Sequence, residues 1–92
     1  MTPIQNALAH VSLGTNHFAQ SAAFYDAVLA PLGIKRILDM NEHHAIAYGR
    51  AYPEFWIQRP INGQPAQSGN GTHVAFFAEN PAQVDAFYAA AL

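Results

Sequence analysis

The strongest constraint on the fold of this chain is a stretch of sequence that it contains twice. Segment 10–29 (HVSLGTNHFAQSAAFYDAVL) aligns without a gap with segment 73–92 (HVAFFAENPAQVDAFYAAAL), at a constant offset of 63 residues. Nine of the twenty aligned positions are identical, whereas this composition would give roughly two identities by chance. The identical pairs are His10/His73, Val11/Val74, Ala19/Ala82, Gln20/Gln83, Ala23/Ala86, Phe24/Phe87, Tyr25/Tyr88, Ala27/Ala90 and Leu29/Leu92. We interpret the two segments as products of an internal duplication.

The composition limits the size, class and partners of the protein. The chain has 92 residues, 51% of them hydrophobic and 11% charged, so we expect one domain with a core and an apolar surface that favours self-association. The four Lys and Arg residues form no patch and the net charge is −2, which predicts no nucleic-acid partner. The sequence contains no cysteine, which excludes disulfides and thiolate metal sites. With no long apolar run and no basic leader, we expect no membrane partner and a cytoplasmic location.

Hydrophobic periodicity predicts the secondary structure of the first copy. Residues 7–14 alternate as a strand does, with His10 on the face turned away from the packing helix. Apolar residues from 18 to 30 have the spacing of an amphipathic helix, for which Thr15 or Asn16 is the expected N-cap. The first copy is therefore predicted to be a strand followed by a helix.

Three further short segments have strand character, at 34–40, 43–49 and 54–58. The connections between them are short enough for hairpins, which predicts antiparallel neighbours. A stretch rich in Pro, Gly and Asn then occupies 60–71, where a linker between repeats is expected. Residues 1–59 thus form a predicted module of the order βαβββ.

The second copy predicts a partial second module at 72–92. Its strand is expected at 72–78 and its helix at 81–92, with Asn80 as the N-cap. The predicted fold class is α+β, with one complete βαβββ module and a second module that is C-terminally incomplete.

The pattern resembles the vicinal oxygen chelate superfamily, which includes glyoxalase I, extradiol dioxygenases and bleomycin-resistance proteins. The resemblance lies in HVSLGTN, SAAFYDAVLAPLG, PEFWIQRP and the restart at GTHVAFF, and it extends over nearly the whole chain. It implies paired βαβββ modules whose sheets curve around a cleft. Many members hold a divalent metal there, through ligands on the first and last strands of each module.

The resemblance implies a set of candidate metal ligands. His10 and His73 match the histidines that open the two modules, and Glu54 is the carboxylate nearest to the ligand position on the last strand of module one, which Trp56 occupies. Imidazole and carboxylate ligands suit Zn, Ni, Fe or Mn. The alternative is that both histidines only bond to backbone groups and that Glu54 is a solvated turn residue.

A second set of residues predicts binding of a small molecule instead. Trp56 on the open face of the sheet, together with Tyr48, could clasp a planar ligand, although the same ring could fill a dimer interface. Arg50 and Arg59 bracket the last strand and could meet an anionic substrate, or simply face solvent.

Two functional hypotheses follow. The first is a metal-dependent lyase, isomerase or dioxygenase that acts on a small oxygenated substrate, with the metal polarising a substrate oxygen. The second is a metal-free binding protein similar to the sequestering bleomycin-resistance members. The sequence leaves open whether the protein is an enzyme.

The partial second module predicts self-association. A strand and helix without the rest of their module leave an open edge, so we expect a homodimer in which they complete a sheet or cleft with a symmetry mate. The alternative is that the natural chain continues beyond Leu92.

Overall fold

The computed structural model describes residues 4–92, which contain four strands and two helices. The elements are β1 (Val11–Gly14), α1 (Phe18–Leu29), β2 (Lys35–Met40), β3 (Ala45–Gly49), β4 (Phe55–Gln58) and α2 (Pro81–Ala91), with 3₁₀ turns at Ala30–Leu32 and Asn41–His43. Residues 1–3 of the predicted first module lie outside the described residues. The α+β class and the βαβββ order predicted from the sequence are confirmed.

The four strands form one mixed sheet in the order β1-β4-β3-β2. β2, β3 and β4 pair as an antiparallel meander, as their short connections predict, and β1 pairs parallel to β4. The parallel register sets Val11 beside Phe55 and Leu13 beside Ile57. The opening strand of the module therefore lies next to its last strand, although three elements separate them in the chain.

The hydrophobic core lies between α1 and one face of the sheet. In β4 the side chains alternate, so Phe55 and Ile57 are buried while Trp56 and Gln58 are only half-buried on the other face. The fully buried side chains are Val28, Leu29, Ile46, Ala47, Tyr48 and, to within 1%, Ile57. Burial of one such large apolar side chain stabilises the fold by about 1.5 to 3 kcal/mol.

The start of α1 differs from the prediction in its capping. His17 is the N-cap residue and makes no side-chain cap bond. The Thr15 hydroxyl instead accepts a hydrogen bond from the His17 amide and lies 2.6 Å from the Ser21 hydroxyl. Asn16 bonds twice to the backbone of Ala66, which fastens segment 60–71 to the β1–α1 loop.

Segment 72–78 is not a strand in the structure, contrary to the prediction. Its side chains do alternate as expected, with Val74, Phe76 and Ala78 packed against the core and His73 exposed. Within residues 4–92 no strand is hydrogen-bonded to this segment, and a strand requires a hydrogen-bonded neighbour. The second copy thus repeats the burial pattern of β1 without its backbone pairing.

α2 begins as the sequence predicts, but only part of its apolar stripe is packed. Asn80 caps the helix by accepting a hydrogen bond from the Gln83 amide at 2.9 Å. Phe87 reaches the core, whereas Val84 and Tyr88 remain exposed. The reason is that α2 packs against α1 and the 3₁₀ turn after it, and no sheet of its own covers its other side within the described residues. Neither helix in residues 4–92 has the length and apolar character that crossing a bilayer requires.

Candidate functional site

A cleft of about 480 Å³ lies at the edge of the sheet where β1 and β4 begin. Its walls come from the N-terminal segment 5–10, the end of β3 with the following turn, and the second-copy segment 74–77. Its apolar lining residues are Ala7, Leu8, Ala9, Val11, Ile34, Phe55, Val74, Ala75, Phe76 and Phe77. Its charged or titratable side chains with exposed surface are His10, Arg50 and Glu54. An apolar pocket of this size with a few polar groups is typical of a small-molecule site.

Strand register brings His10 and Glu54 to the same wall of the cleft. The Val11 amide donates to the Glu54 carbonyl at 2.9 Å, and Val11 pairs with Phe55 in the parallel ladder. The residues one position earlier on each strand are therefore neighbours about 4.8 Å apart along the sheet, on the face opposite the core. Both side chains are exposed. An imidazole and a carboxylate side by side form the polar part of this wall.

The predicted metal set of His10, His73 and Glu54 is not assembled within one chain. His10 and Glu54 line the cleft, but His73 does not, although its neighbour Val74 does. Among residues 4–92 no group of three His, Asp or Glu side chains is close enough to hold a metal ion. The physical reason is that segment 72–78 packs beside the core without joining the sheet, so strand register does not align His73 with His10. These three side chains of a single chain therefore do not form a metal site.

Trp56 lies on the open face of the sheet, as its place in the β4 alternation predicts. It pairs with Ser12 of β1 and Ala47 of β3 and is half-buried. The His10 ring meets the Trp56 ring edge-on, with centroids 6.4 Å apart and planes at 64°. Trp56 does not line the cleft, and it contacts the cleft residue His10.

Trp56 and Tyr48, which were predicted to clasp a ligand together, lie on opposite faces of the sheet within one chain. Tyr48 pairs with the core residue Phe55 and has no exposed surface. Its hydroxyl lies 3.0 Å from a carboxylate oxygen of Asp26 and 3.2 Å from the Ala22 carbonyl, on the α1 side. Burial raises the pKa of Tyr48 above its usual value, so the hydroxyl stays a donor to these acceptors. Tyr48 is a core residue that reaches the cleft only as part of its floor.

Asp26 connects Tyr48 to an ion-pair network at the surface. Arg36 of β2 donates two hydrogen bonds to Asp26, at 2.9 and 2.7 Å, and a third to Asp39 at 2.9 Å. The hydrogen bond from Arg36 lowers the pKa of Asp26 below its usual range. This network joins α1 to the sheet, and Asp26, Arg36 and Asp39 themselves do not line the cleft.

The comparisons with known proteins agree with this architecture. The sequence matches the Glyoxalase/Bleomycin resistance protein/Dioxygenase superfamily over residues 7–92. The chain belongs to this superfamily. The crystal structure of a glyoxalase/bleomycin resistance protein from Albidiferax ferrireducens is similar to it, with a TM-score of 0.82 and 40% sequence identity over 94% of this chain and 68% of that chain. The search of curated proteins found no match. The family resemblance inferred from the sequence is confirmed.

Within this superfamily member, the Arg50 side chain ties the second copy to the 3₁₀ turn that follows α1. Arg50 follows β3 and donates from Nε to the Leu32 carbonyl at 3.0 Å and from Nη2 to the Phe77 carbonyl at 2.7 Å. Phe76, next to Phe77, packs edge-on against Phe55 with ring centroids 5.1 Å apart. These contacts hold segment 74–77 as a wall of the cleft.

Sequence reasoning missed the part of the site that comes from segment 5–9. Leu8 is largely exposed and lines the cleft. The first strand was predicted to begin at residue 7, but the structure is irregular before Val11, so strand alternation does not tell which side chains of this segment turn inward. Its proximity to Val74 and Phe76 depends on the tertiary arrangement alone.

Proposed function

We propose that this glyoxalase/bleomycin-resistance superfamily member binds a small molecule in the cleft between β1, β4 and segment 74–77. The observation that carries the proposal is the combination in one cleft of an apolar lining with His10, Arg50 and Glu54 at its walls. Apolar surface supplies affinity for an organic molecule, and a few fixed polar groups orient it. This favours the binding hypothesis over a metal-dependent reaction within a single chain.

The test uses the neutral fluorescent probe N-phenyl-1-naphthylamine with the 92-residue protein. We expect a saturable rise in its fluorescence, which Leu8→Trp weakens severalfold by filling the cleft. Ile61→Trp is the matched control, because Ile61 is fully exposed and does not line the cleft. Binding that is not saturable, or that both variants affect equally, would contradict the proposal.

A metal-dependent lyase, isomerase or dioxygenase is the second candidate, and the adjacency of His10 and Glu54 favours it. Two ligands on one wall leave room for further ligands from another subunit, so the set would be shared between chains. Metal analysis after dialysis against Zn, Ni, Fe or Mn tests this candidate. Stoichiometric metal that His10→Ala removes would support it, and metal-free protein that still binds the probe would support the first candidate.

We also propose that the protein is a homodimer and that segments 1–59, 60–71 and 72–92 act as first module, linker and partial second module. The support is the exposed apolar side of α2 at Val84 and Tyr88. The equivalent of Tyr88 in the first copy is Tyr25, which is half-buried against Phe55 of the sheet. A second subunit would cover the corresponding side of α2. A cytoplasmic location remains a prediction from the sequence.

A further inference from the structure

The guanidinium of Arg50 carries a charge that no described carboxylate neutralises. Both of its hydrogen bonds go to backbone carbonyls, those of Leu32 and Phe77. Arg36 in contrast pairs with Asp26 and Asp39, and among residues 4–92 no carboxylate lies within ion-pair distance of Arg50. A neutral carbonyl satisfies an N–H group without cancelling the positive charge. Arg50 is therefore available to an anion.

The two carbonyl bonds also fix the place of this charge. The Leu32 bond anchors Arg50 to the end of the 3₁₀ turn, and the Phe77 bond anchors it to the second copy. An arginine held by two bonds in one plane loses less conformational freedom when it binds a ligand than a solvated surface arginine does. The remaining N–H groups of the fork match the two oxygens of a carboxylate.

The other walls define what accompanies the anionic group. Leu8, Phe55, Val74 and Phe76 give the cleft an apolar and partly aromatic lining. Glu54 lines the same cleft and disfavours ligands with a second negative charge. We propose that Arg50 is the anion subsite of this cleft, and that its ligand class is small monocarboxylates with an aromatic or branched apolar body. This inference rests on the proposed binding function and specifies the chemical class of the ligand.

The experiment compares benzoate with its neutral counterpart benzamide by NMR titration of the 92-residue protein. We expect benzoate to bind about tenfold more tightly than benzamide, because a charge-assisted bond to arginine is lost in the amide. The Arg50 Nε–H resonance should move with benzoate and stay in place with benzamide. Arg50→Gln should remove the preference, Arg50→Lys should retain part of it, and Arg59→Gln is the matched control outside the cleft.

The outcomes separate this proposal from the one on which it rests. Equal affinities for the two probes, with resonances of the cleft residues shifting for both, overturn the anion subsite and leave cleft binding intact. Failure of both probes to shift any cleft resonance overturns both proposals. If Arg50→Gln fails to fold, the Nε–H resonance of the unaltered protein decides, and its lack of response to benzoate contradicts the proposal.

Discussion

At the scale of single residues, Asp26 connects α1 with the sheet through hydrogen bonds to two strands. It accepts from Arg36 at the surface and from the buried hydroxyl of Tyr48, so one carboxylate serves a solvated cation and a core donor at once. The Arg36 and Asp26 side chains keep 32% and 42% of their surface exposed, so solvent screens the ion pair. The buried hydrogen bond is not screened in this way.

Asp26→Asn should weaken the pH dependence of stability in the acid range. The hydrogen bond from Arg36 lowers the pKa of Asp26 in the folded protein, so its carboxylate stabilises the fold above the unfolded-state pKa. This contribution is lost as the pH falls through the lower folded-state pKa. We expect the free energy of unfolding to fall more steeply for the unaltered protein than for the variant below about pH 4. Urea denaturation at several pH values measures both slopes, and parallel curves would refute the prediction.

Tyr48→Phe should reduce stability and leave ligand binding unchanged. The variant loses the hydrogen bonds to Asp26 and Ala22, which costs about 1 kcal/mol of unfolding free energy. Since the hydroxyl lies on the α1 side of the sheet, the affinity for N-phenyl-1-naphthylamine should not change. Tyr52→Phe, at an exposed site, is the control and should alter neither quantity. A loss of probe affinity in Tyr48→Phe alone would restore the ligand role first predicted for this tyrosine.

At the scale of elements, the β3–β4 connection depends on a glycine for steric reasons. A Cβ atom at Gly49 would lie 1.7 Å from the Tyr52 carbonyl oxygen, which belongs to the backbone and has little freedom to move away. The connection places Arg50 and Glu54 at the cleft. The β3–β4 turn and the positions of these two cleft residues therefore both depend on the close approach of Gly49 to the Tyr52 carbonyl.

Gly49→Ala should destabilise the protein by about 3 kcal/mol or more, through displacement of the turn. Gly33→Ala is the comparison, because Gly33 has a φ of 73° with open space around its Cα, and conformation alone should cost about 1 kcal/mol. Thermal unfolding of both variants gives the two values. A smaller loss at Gly49 than at Gly33 would show that the turn can relax at little cost.

The sequence predicted the elements where burial differs between the two sides of a segment. The alternation in 54–58 correctly placed Phe55 and Ile57 in the core and Trp56 on the open face. The same reasoning assigned a strand to 72–78, and there it described the burial but not the backbone. Alternation indicates which side chains are buried. A strand also requires a hydrogen-bonded neighbouring strand, and the sequence of one segment does not show whether there is one.

The site was predictable to the same degree. His10 and Glu54 share a wall because both precede core residues on paired strands, which periodicity and strand pairing together indicate. Tyr48 was misplaced because β3 (AIAYG) is apolar throughout and has no polar side to orient it. Leu8 and segment 74–77 reach the cleft through tertiary packing that no local pattern records.

At the scale of the whole molecule, the exposed side of α2 predicts a dimer. Native mass spectrometry at micromolar concentration should give twice the chain mass of 10.0 kDa. Tyr88→Glu should shift the equilibrium to the monomer. The dimer would bury the new carboxylate against an apolar surface without a partner, whereas the monomer leaves it in water. Tyr52→Glu is the matched control, since Tyr52 is similarly exposed and belongs to the β3–β4 connection and not to α2. A monomer at all concentrations would contradict the proposal.

Within residues 4–92, β1 is an edge strand whose sheet neighbour is β4, and the whole of α1, β2 and β3 separates the two in the chain. Closing so long a loop costs entropy before the pairing offsets it, so β1 should dock late in folding and detach early on heating. The cleft then exists only once the chain has closed on itself. Any molecule that occupies it will raise the melting temperature in proportion to the logarithm of its concentration, so thermal shift screening can identify natural ligands without an activity assay.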